Sequence, residues 1–315
     1  MFFRKRTTAE TAKNTTYTLD SFPLRPPLPL PEGVSRQELF DWLKSVRVAD
    51  APDSIIEYCV QDFERFVQTF GLVQRATANA TGALTGLELG GNPYFSTMLL
   101  KKFTSVDWQL ANYFGEQIPK GKAQQRVHMS EFRALESKTY VDLTYSHFNI
   151  EEDVFPFESE SLDIVLFCEI IEHLLNDPCA VLRQIKRVLR DDGTLVLTTP
   201  NVSRLENVAR MIVGSNLYDP YSGYGPYGRH NREYNKHELF TLLTYLGFTV
   251  DEIFTADVHE NLTGSYLGPE NFGQLIKYRE HDLGQYIFIR ARKTGEDRGK
   301  KPAWLYRSYD PAEIE

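Results

Sequence analysis

Residues 84–93 read LTGLELGGNP, and this stretch decides the fold. Residues 84–89 form the first of seven short apolar runs, which predicts a buried strand. Gly90 and Gly91 follow at once, and glycine lets the backbone turn tightly and approach a ligand closely. The helical period that begins at Tyr94 would point its N-terminus, with its partial positive charge, at that ligand. The stretch therefore predicts a strand, a ligand-binding turn and a helix, in that order.

Six further apolar runs alternate with helical periods along the chain. Near-continuous apolar strands that alternate with helices predict a parallel sheet covered on both faces. We therefore predict an α/β fold: a Rossmann-like, doubly wound, mostly parallel seven-stranded sheet with helices on both faces. The polar residues 111–138 carry no strong period and are predicted to be an insertion. The other predicted strands are 103–108, 140–148, 162–168, 194–199, 248–254 and 286–291, and the predicted helices are 94–102, 178–189, 203–213 and 236–246.

The segments outside residues 82–292 are predicted to be accessory. Residues 1–33 are polar and then Pro-rich, which favours an extended arm that either lies over the domain or docks a partner. Residues 34–81 are predicted to form an N-terminal helical extension of two helices. Ser35 would cap the first helix, and Asp53 or Ser54 would cap the second. Residues 293–315 are expected to be a solvated C-terminal tail.

Composition narrows the function classes. The 315 residues include 35 Lys and Arg against 43 Asp and Glu, a formal net charge of −8, so nucleic acid is an unlikely partner. The three cysteines form no CxxC pair, which fits a reducing compartment. No apolar stretch reaches the roughly 18 residues that span a bilayer, and the N-terminus lacks the apolar core of a signal peptide. We expect a cytoplasmic protein without a membrane span. The sequence does not determine its oligomeric state.

The strand, the turn and the motif that follows the fourth predicted strand resemble the class I S-adenosylmethionine-dependent methyltransferases, over residues 82–292. The letters ELGGNP from Glu88 stand where that family has an acidic-x-Gly-x-Gly loop, with Asn92 in place of the second conserved glycine. Asp107 is predicted to end the second strand, where that family holds the ribose. The resemblance implies S-adenosylmethionine as the cofactor, with contacts from Glu88, Gly90, Gly91, Asn92, Asp107, Asn149, Ile150 and Cys168.

The motif that follows the fourth predicted strand reads CEIIEHL at residues 168–174. If a helical turn starts there, Glu169, Glu172 and His173 project to one side. Carboxylates and an imidazole on one face are metal-ligand chemistry. A second segment, HNREYNK at residues 230–236, begins at His230 and follows the fifth predicted strand. Both segments are predicted to lie at the same edge of the sheet.

This pair of segments resembles the metal site of small-RNA 2′-O-methyltransferases and ubiquinone-pathway O-methyltransferases. The resemblance implies Glu169, Glu172, His173 and His230 as ligands of Mg²⁺, which would lower the pKa of a substrate hydroxyl. Glu172, His173 and His230 would then be the catalytic groups. Two alternatives stay open: a metal-free site in which His173 or His230 is the general base, and a structural role in which Glu172 and His173 only stabilise the loop.

Residues 214–235 form a Gly- and Pro-containing segment with four tyrosines, Tyr218, Tyr221, Tyr224 and Tyr227. Such aromatic loops often close over a ligand, and these rings could stack on a sugar or pack on the N-terminal helices. The sequence thus predicts an O-methyltransferase acting on a hydroxyl of a sugar, a glycan or a related small molecule. The alternatives are methylation of an RNA 3′-terminal ribose, a catalytically silent cofactor-binding scaffold and, more remotely, a nicotinamide dehydrogenase.

Overall fold

The computed structural model describes Leu28 and residues 30–49, 51–52, 54–273 and 280–315. The Pro-rich arm predicted for residues 1–33 lies largely outside these residues, as does Asp53. The strands are β1 (Arg47–Val48), β2 (Leu84–Leu89), β3 (Val106–Asn112), β4 (Gly121–Glu131), β5 (Ala134–His147), β6 (Leu162–Cys168), β7 (Leu189–Pro200), β8 (Phe248–Ala256) and β9 (Tyr286–Lys293). The helices are α1 (Arg36–Leu43), α2 (Ile55–Thr77), α3 (Phe95–Phe103), α4 (Pro178–Val188), α5 (Leu205–Ile212) and α6 (Lys236–Tyr245).

The described residues form one nine-stranded sheet in the order β1-β4-β5-β3-β2-β6-β7-β9-β8. The five central strands, from β5 to β7 in this order, are parallel, whereas β1, β4, β8 and β9 pair antiparallel with their neighbours. The Rossmann-like α/β prediction therefore holds in the centre of the sheet. The predicted count of seven strands was wrong, because β1 and β4 add to one edge.

The two additional strands come from segments that the apolar pattern did not identify. β4 lies inside the predicted insertion and pairs with β5 from Gly121 to Glu131. Only Val127 and Met129 of β4 are buried. Most of its other residues are polar, so the strand lacks the apolar alternation by which a strand is recognised in a sequence. β1 has two residues, and Arg47 pairs with His128 of β4.

Helices cover both faces of the sheet. β7 shows how the strand alternation divides the core: Leu195 and Leu197 pack in a cluster with α4 and α6, while Val196 packs in a cluster with α1, α2 and α3. α2 presents Cys59, Phe63 and further residues of its apolar stripe to that second cluster, which matches the predicted 3.6-residue spacing. The N-terminal helices therefore cover one face of the sheet and form part of its hydrophobic core.

The helix ends follow capping rules. Ser35 caps α1 as predicted: its Oγ accepts from the backbone N of Glu38 at 3.2 Å, and Glu38 Oε2 accepts from the Ser35 N at 2.9 Å. Ser54 precedes α2 but its side chain makes no capping hydrogen bond. Among the helices of the described residues, none combines the length and the apolar character that crossing a bilayer requires.

The C-terminal tail packs against the domain, so the expectation of a solvated arm was wrong. Tyr306 is buried in the cluster with α4 and α6. Its hydroxyl donates to Asp177 Oδ1 at 2.5 Å and accepts from the backbone N of Cys179 at 3.2 Å. Lys301 also pairs with Asp177, which is the N-cap of α4. Tyr306 and Lys301 of this tail therefore make contacts within the chain.

Candidate functional site

The turn after β2 has the geometry that a ligand-binding loop requires. Gly90 has φ +66° and donates its N–H to the carbonyl of Ala111 at 2.8 Å. A Cβ at Gly90 would lie 2.9 Å from Ile170 Cδ1, and the positive φ would strain any residue that has a Cβ. Asn92 donates its backbone N–H to Asn112 Oδ1 at 3.1 Å. The left-handed residue beyond the two glycines is Tyr94, with φ +71°, and Asn92 does not adopt that conformation.

A cleft of about 180 Å³ opens beside this turn at the carboxyl ends of the parallel strands, and we call it the cofactor cleft. Its lining includes Gly90, Asn112, Tyr113, Asn149 and Ile150. In doubly wound sheets this edge is where ligands bind. The side-chain amide of Asn149 donates to the hydroxyl of Tyr227 at 3.2 Å. The structure thus brings Gly90, Asn149 and Ile150 together, although they are distant in sequence.

Asp107 does not reach this cleft, and its predicted position at the end of the second strand was wrong. β3 begins at Val106, so Asp107 is exposed at its amino end and pairs with Thr85 at the amino end of β2. Asn112 lies five positions further along the strand, roughly 16 Å away at about 3.3 Å per residue. The predicted strand was placed too early because the apolar run overlaps the end of α3. Asn112 and Tyr113 occupy the place that was assigned to Asp107.

Glu88 and Cys168 lie near the turn but not among the residues that line the cofactor cleft. Glu88 points towards α3, where it accepts a hydrogen bond from the hydroxyl of Thr97. Burial raises the pKa of Glu88 to about 7, against that hydrogen bond and the charge of Lys101. Cys168 ends β6 with its Sγ 3.9 Å from the carbonyl of Val196, and burial raises its pKa to about 12. Their contacts with a cofactor stay predictions.

The loop after β6 separates the two glutamates of the motif. Glu169 has φ +53°, so the predicted helical turn does not start there, and only Ile171–His173 forms a 3₁₀ turn. Glu169 lines the cofactor cleft and accepts from the hydroxyl of Thr198 at 2.7 Å. Glu172 is fully buried and accepts from the hydroxyl of Thr199 at 2.8 Å through Oε2. The one-sided arrangement predicted for the motif was therefore wrong for Glu169.

Burial governs the charge state of both glutamates. It raises the pKa of Glu172 well above its usual range, and the nearby Glu169 adds to the increase. Burial also raises the pKa of Glu169, while the charge of Arg65 opposes it. Glu172 Oε1 has no hydrogen-bond partner among the described residues. A buried polar atom without a partner is rare and calls for a ligand or a proton to satisfy it.

His173 and His230 meet beside this oxygen, with ring centroids 5.0 Å apart. His173 Nδ1 lies 2.9 Å from the carbonyl of Arg229, which places the ring proton on Nδ1 and leaves Nε2, 3.8 Å from Glu172 Oε1, without a hydrogen bond. His230 Nδ1 lies 2.9 Å from Glu233 Oε1, and Glu233 is also paired with Arg204 at 2.5 Å. The two segments predicted at one edge of the sheet are therefore in contact.

The two histidines have opposite pKa shifts. Burial lowers the pKa of His173, and the positive charge that His230 can carry lowers it further, despite the carbonyl of Arg229. Burial also acts to lower the pKa of His230, but the hydrogen bond and charge of Glu233 outweigh it and raise that pKa. Neighbouring groups with divergent pKa values are typical of an acid and base pair.

Glu172, His173 and His230 form a group whose ligand atoms all lie within 4.8 Å of one another. Glu169 is not part of this group, so the predicted set of four ligands is reduced to three. Two imidazoles with one carboxylate suit first-row transition metals such as Mn²⁺ or Fe²⁺ better than Mg²⁺, which prefers oxygen ligands. The unpartnered Glu172 Oε1 and the free His173 Nε2 fit a divalent ion at this place.

α2 contributes a buried cation that sequence reasoning missed. Arg65 is 3% exposed, donates from Nε to Asp62 Oδ1 at 2.9 Å and contacts the hydroxyl of Tyr58. Its charge acts on the carboxylates of Glu169 and Glu172. The available signal was a charged pair, three residues apart, among the apolar residues of an amphipathic helix. The N-terminal extension thus supplies a buried positive charge that acts on these two carboxylates.

The aromatic segment divides into two parts. Tyr218, Tyr221 and Tyr224 are at least 86% exposed, so the alternative that they pack on the N-terminal helices was wrong. Tyr227 lines the cofactor cleft and makes an edge-to-face contact with Tyr113, with ring centroids 6.0 Å apart. One end of the segment therefore contacts the cofactor cleft while its middle faces solvent. Sequence reasoning missed Tyr113 because it lies just past a strand whose end was misplaced.

The structure is thus an α/β protein with a cleft at the carboxyl edge of its sheet and a group of titratable side chains beside that cleft. A family model described as "Methyltransferase domain" matches residues 96–253, half of the chain. The chain belongs to this family and is a methyltransferase. No curated protein sequence gives a significant match to it.

Several solved structures are similar in fold. An S-adenosylmethionine-dependent methyltransferase from Archaeoglobus fulgidus is 17% identical over 75% of this chain and 99% of that chain, with a TM-score of 0.44. A CurJ carbon methyltransferase is 14% identical over 77% of this chain and 60% of that chain, with a TM-score of 0.45. An S-adenosylmethionine-dependent methyltransferase from Mesorhizobium loti is 12% identical over 71% of this chain and 97% of that chain, with a TM-score of 0.39.

Proposed function

We propose that the chain transfers a methyl group from S-adenosylmethionine to a hydroxyl of a sugar, a glycan or a related diol-bearing small molecule. The observation that carries this proposal is the group of Glu172, His173 and His230 beside the cofactor cleft. Methyl transfer from a sulfonium to a hydroxyl requires a base near the acceptor oxygen.

In the metal-free form of this proposal His173 is the general base. Its lowered pKa keeps the imidazole neutral near pH 7, and its free Nε2 can accept the hydroxyl proton. The carbonyl of Arg229 fixes the ring orientation through Nδ1, and Glu233 does the same for His230. His173 also lines the cofactor cleft, so the proton acceptor would face the transferred methyl group.

The alternative form of the proposal is a divalent ion bound by Glu172, His173 and His230, with Mn²⁺ a better fit than the Mg²⁺ suggested by the motif; His173 would then use Nε2 as a ligand and would not be the base. A bound ion of this kind lowers the pKa of a coordinated hydroxyl. His230 must lose its proton to become a ligand, and its raised pKa means that metal affinity should increase with pH. The tyrosines of the exposed segment supply ring faces on which an acceptor sugar can stack.

The first experiment is calorimetric titration of metal-free protein with Mn²⁺, Mg²⁺ and S-adenosylhomocysteine. We expect Glu172→Gln to weaken Mn²⁺ binding by at least about 100-fold, since even the loss of an outer-shell partner costs about tenfold to hundredfold. Affinity for S-adenosylhomocysteine should stay unchanged. The matched control is Glu152→Gln, which removes an exposed carboxylate and should bind both like the wild-type protein. Equal Mn²⁺ affinity in Glu172→Gln would contradict the metal site.

Radiolabelled S-adenosylmethionine then identifies the acceptor class. We expect label in diol-bearing sugars, lost in Glu172→Gln and in the presence of EDTA. Transfer that resists EDTA but is lost in His173→Gln would favour the metal-free base. Label only in an RNA with a free 3′-terminal ribose would replace the sugar with the alternative acceptor, and a steep salt dependence of RNA binding would accompany it.

A further inference from the structure

We propose that Gln125 of β4 is a positioning residue that holds the cofactor turn in its binding conformation. Gln125 Oε1 accepts a hydrogen bond from the hydroxyl of Tyr94 at 2.8 Å and another from Asn92 Nδ2 at 3.2 Å. Both donors belong to the residues that follow Gly90 and Gly91. A single acceptor on the added hairpin therefore contacts the turn at two points. The inference rests on the proposed function in taking this turn to bind S-adenosylmethionine.

A second set of hydrogen bonds connects these groups to the cofactor cleft. Asn112 Nδ2 donates to the hydroxyl of Tyr94 at 3.0 Å, and Asn112 Oδ1 accepts from the backbone N of Asn92 at 3.1 Å. Asn112 lines the cleft at the end of β3. The Tyr94 hydroxyl thus accepts a hydrogen bond from Asn112 and donates its only proton to Gln125. Only the Tyr94 side chain therefore stands between Gln125 and Asn112, which lines the cleft.

The turn needs such support because of its own sequence. Tyr94 is fully buried with φ +71°, a conformation that disfavours residues with a Cβ. Its buried hydroxyl needs partners, which Asn112 and Gln125 supply. Asn92 replaces a glycine of the motif that the turn resembles, and its amide is held by Gln125. β4, which is one of the two strands beyond the predicted seven, therefore acts on the cofactor turn.

Calorimetric titration with S-adenosylhomocysteine tests this role in the full chain. Gln125→Leu keeps the side-chain volume but removes the acceptor, and we expect affinity to fall by about fivefold to tenfold. Tyr94→Phe removes only the hydroxyl and should show a similar loss, while the double variant should lose little more, because both substitutions break the same connection. Gln125→Glu retains the acceptor oxygens and should bind within about threefold of wild type.

Gln124→Ala is the matched control, because Gln124 is the exposed neighbour on the same strand and contacts Thr144 instead. It should bind like wild type. Wild-type affinity in both Gln125→Leu and Tyr94→Phe, even with a lower melting temperature, would overturn the positioning role. Amide hydrogen exchange of residues 90–94 gives a readout without cofactor: we expect faster exchange in both variants, and unchanged exchange would also overturn the inference. If the wild-type protein binds no S-adenosylhomocysteine, the proposed cofactor fails, and the exchange data still decide on Gln125.

Discussion

Glu88 shows how one buried carboxyl can make the whole chain sensitive to pH. Burial raises its pKa to about 7 in the folded protein, whereas an exposed glutamate in the unfolded chain has a pKa near 4.3. Below that value both states are protonated and Glu88 imposes no electrostatic cost. As pH rises towards 7 the unfolded chain ionises first, so the folded state loses stability. The shift corresponds to roughly 4 kcal/mol, fully lost above pH 7.

Glu88→Gln should therefore flatten this part of the stability profile. Glutamine keeps an acceptor for Thr97 and carries no charge, so the variant should gain stability over wild type at pH 8 but not at pH 4.5. Chemical denaturation at several pH values between these limits measures the difference. Glu136→Gln, which removes an exposed carboxyl on β5, is the control and should follow the wild-type profile. A gain in Glu88→Gln that is equal at all pH values would refute the raised pKa.

At the scale of elements, the start of α4 connects the loop after β6, which carries His173, to the C-terminal tail. Asp177 Oδ1 caps α4 by accepting from the backbone N of Ala180 at 3.1 Å. The same carboxylate receives the Tyr306 hydroxyl and pairs with Lys301. These contacts lower the pKa of Asp177 against the effect of burial. The Asp177 side chain thus fixes the start of α4. It also holds the C-terminal tail, which lies more than a hundred residues later in the chain.

Asp177→Ala should destabilise the fold by about 2 kcal/mol, since it removes a cap and leaves the tyrosine hydroxyl without its acceptor. Asp177→Asn separates the two effects, because asparagine caps helices as well as aspartate but cannot pair with the Lys301 charge. We expect most of the stability to return in Asp177→Asn. Limited proteolysis of the tail should accelerate in Asp177→Ala. Equal stability losses in the two variants would mean that the ion pair, and not the cap, dominates.

At the scale of the whole molecule, the N-terminal helices and the sheet share one hydrophobic cluster. α2 packs on α3, β7 and β9, and Arg75 of α2 pairs with Glu252 of β8 at 2.8 Å. Trp42 and Trp108 are both buried in this cluster. Glu252 is also paired with Arg290 of β9 at 2.6 Å. These contacts predict that the extension unfolds together with the sheet.

Phe70→Ala tests this cooperativity, because Phe70 is completely buried on α2. We expect a loss of about 3–5 kcal/mol, with tryptophan fluorescence and far-UV circular dichroism still following one coincident transition. Val60→Ala, at a side chain of α2 that is 48% exposed, should change stability little. A fluorescence transition that precedes the loss of circular dichroism would show that the helices detach from the sheet first.

Much of the element order was predictable because it depends on local patterns. The seven predicted apolar runs all overlap strands, and the four predicted helices correspond to α3, α4, α5 and α6. Gly90 and Gly91 were identified as a tight turn after the first strand, and Ser35 as a cap, from residue type alone. In each case the determining interactions lie within a few residues of the chain, so the sequence by itself contained the information.

Other features were decided only by tertiary structure. Strand ends depend on the neighbouring strand, so pairing with β2 placed Asn112, and not Asp107, at the cleft. The φ of Glu169 depends on its hydrogen bonds to β7, and it separates Glu169 from the group that His230 joins. β4 and the tail bury few apolar residues of their own, so their signals were weak. The sequence determined the periodic elements and the residue types available to the site; the packing between distant segments decided which of them meet.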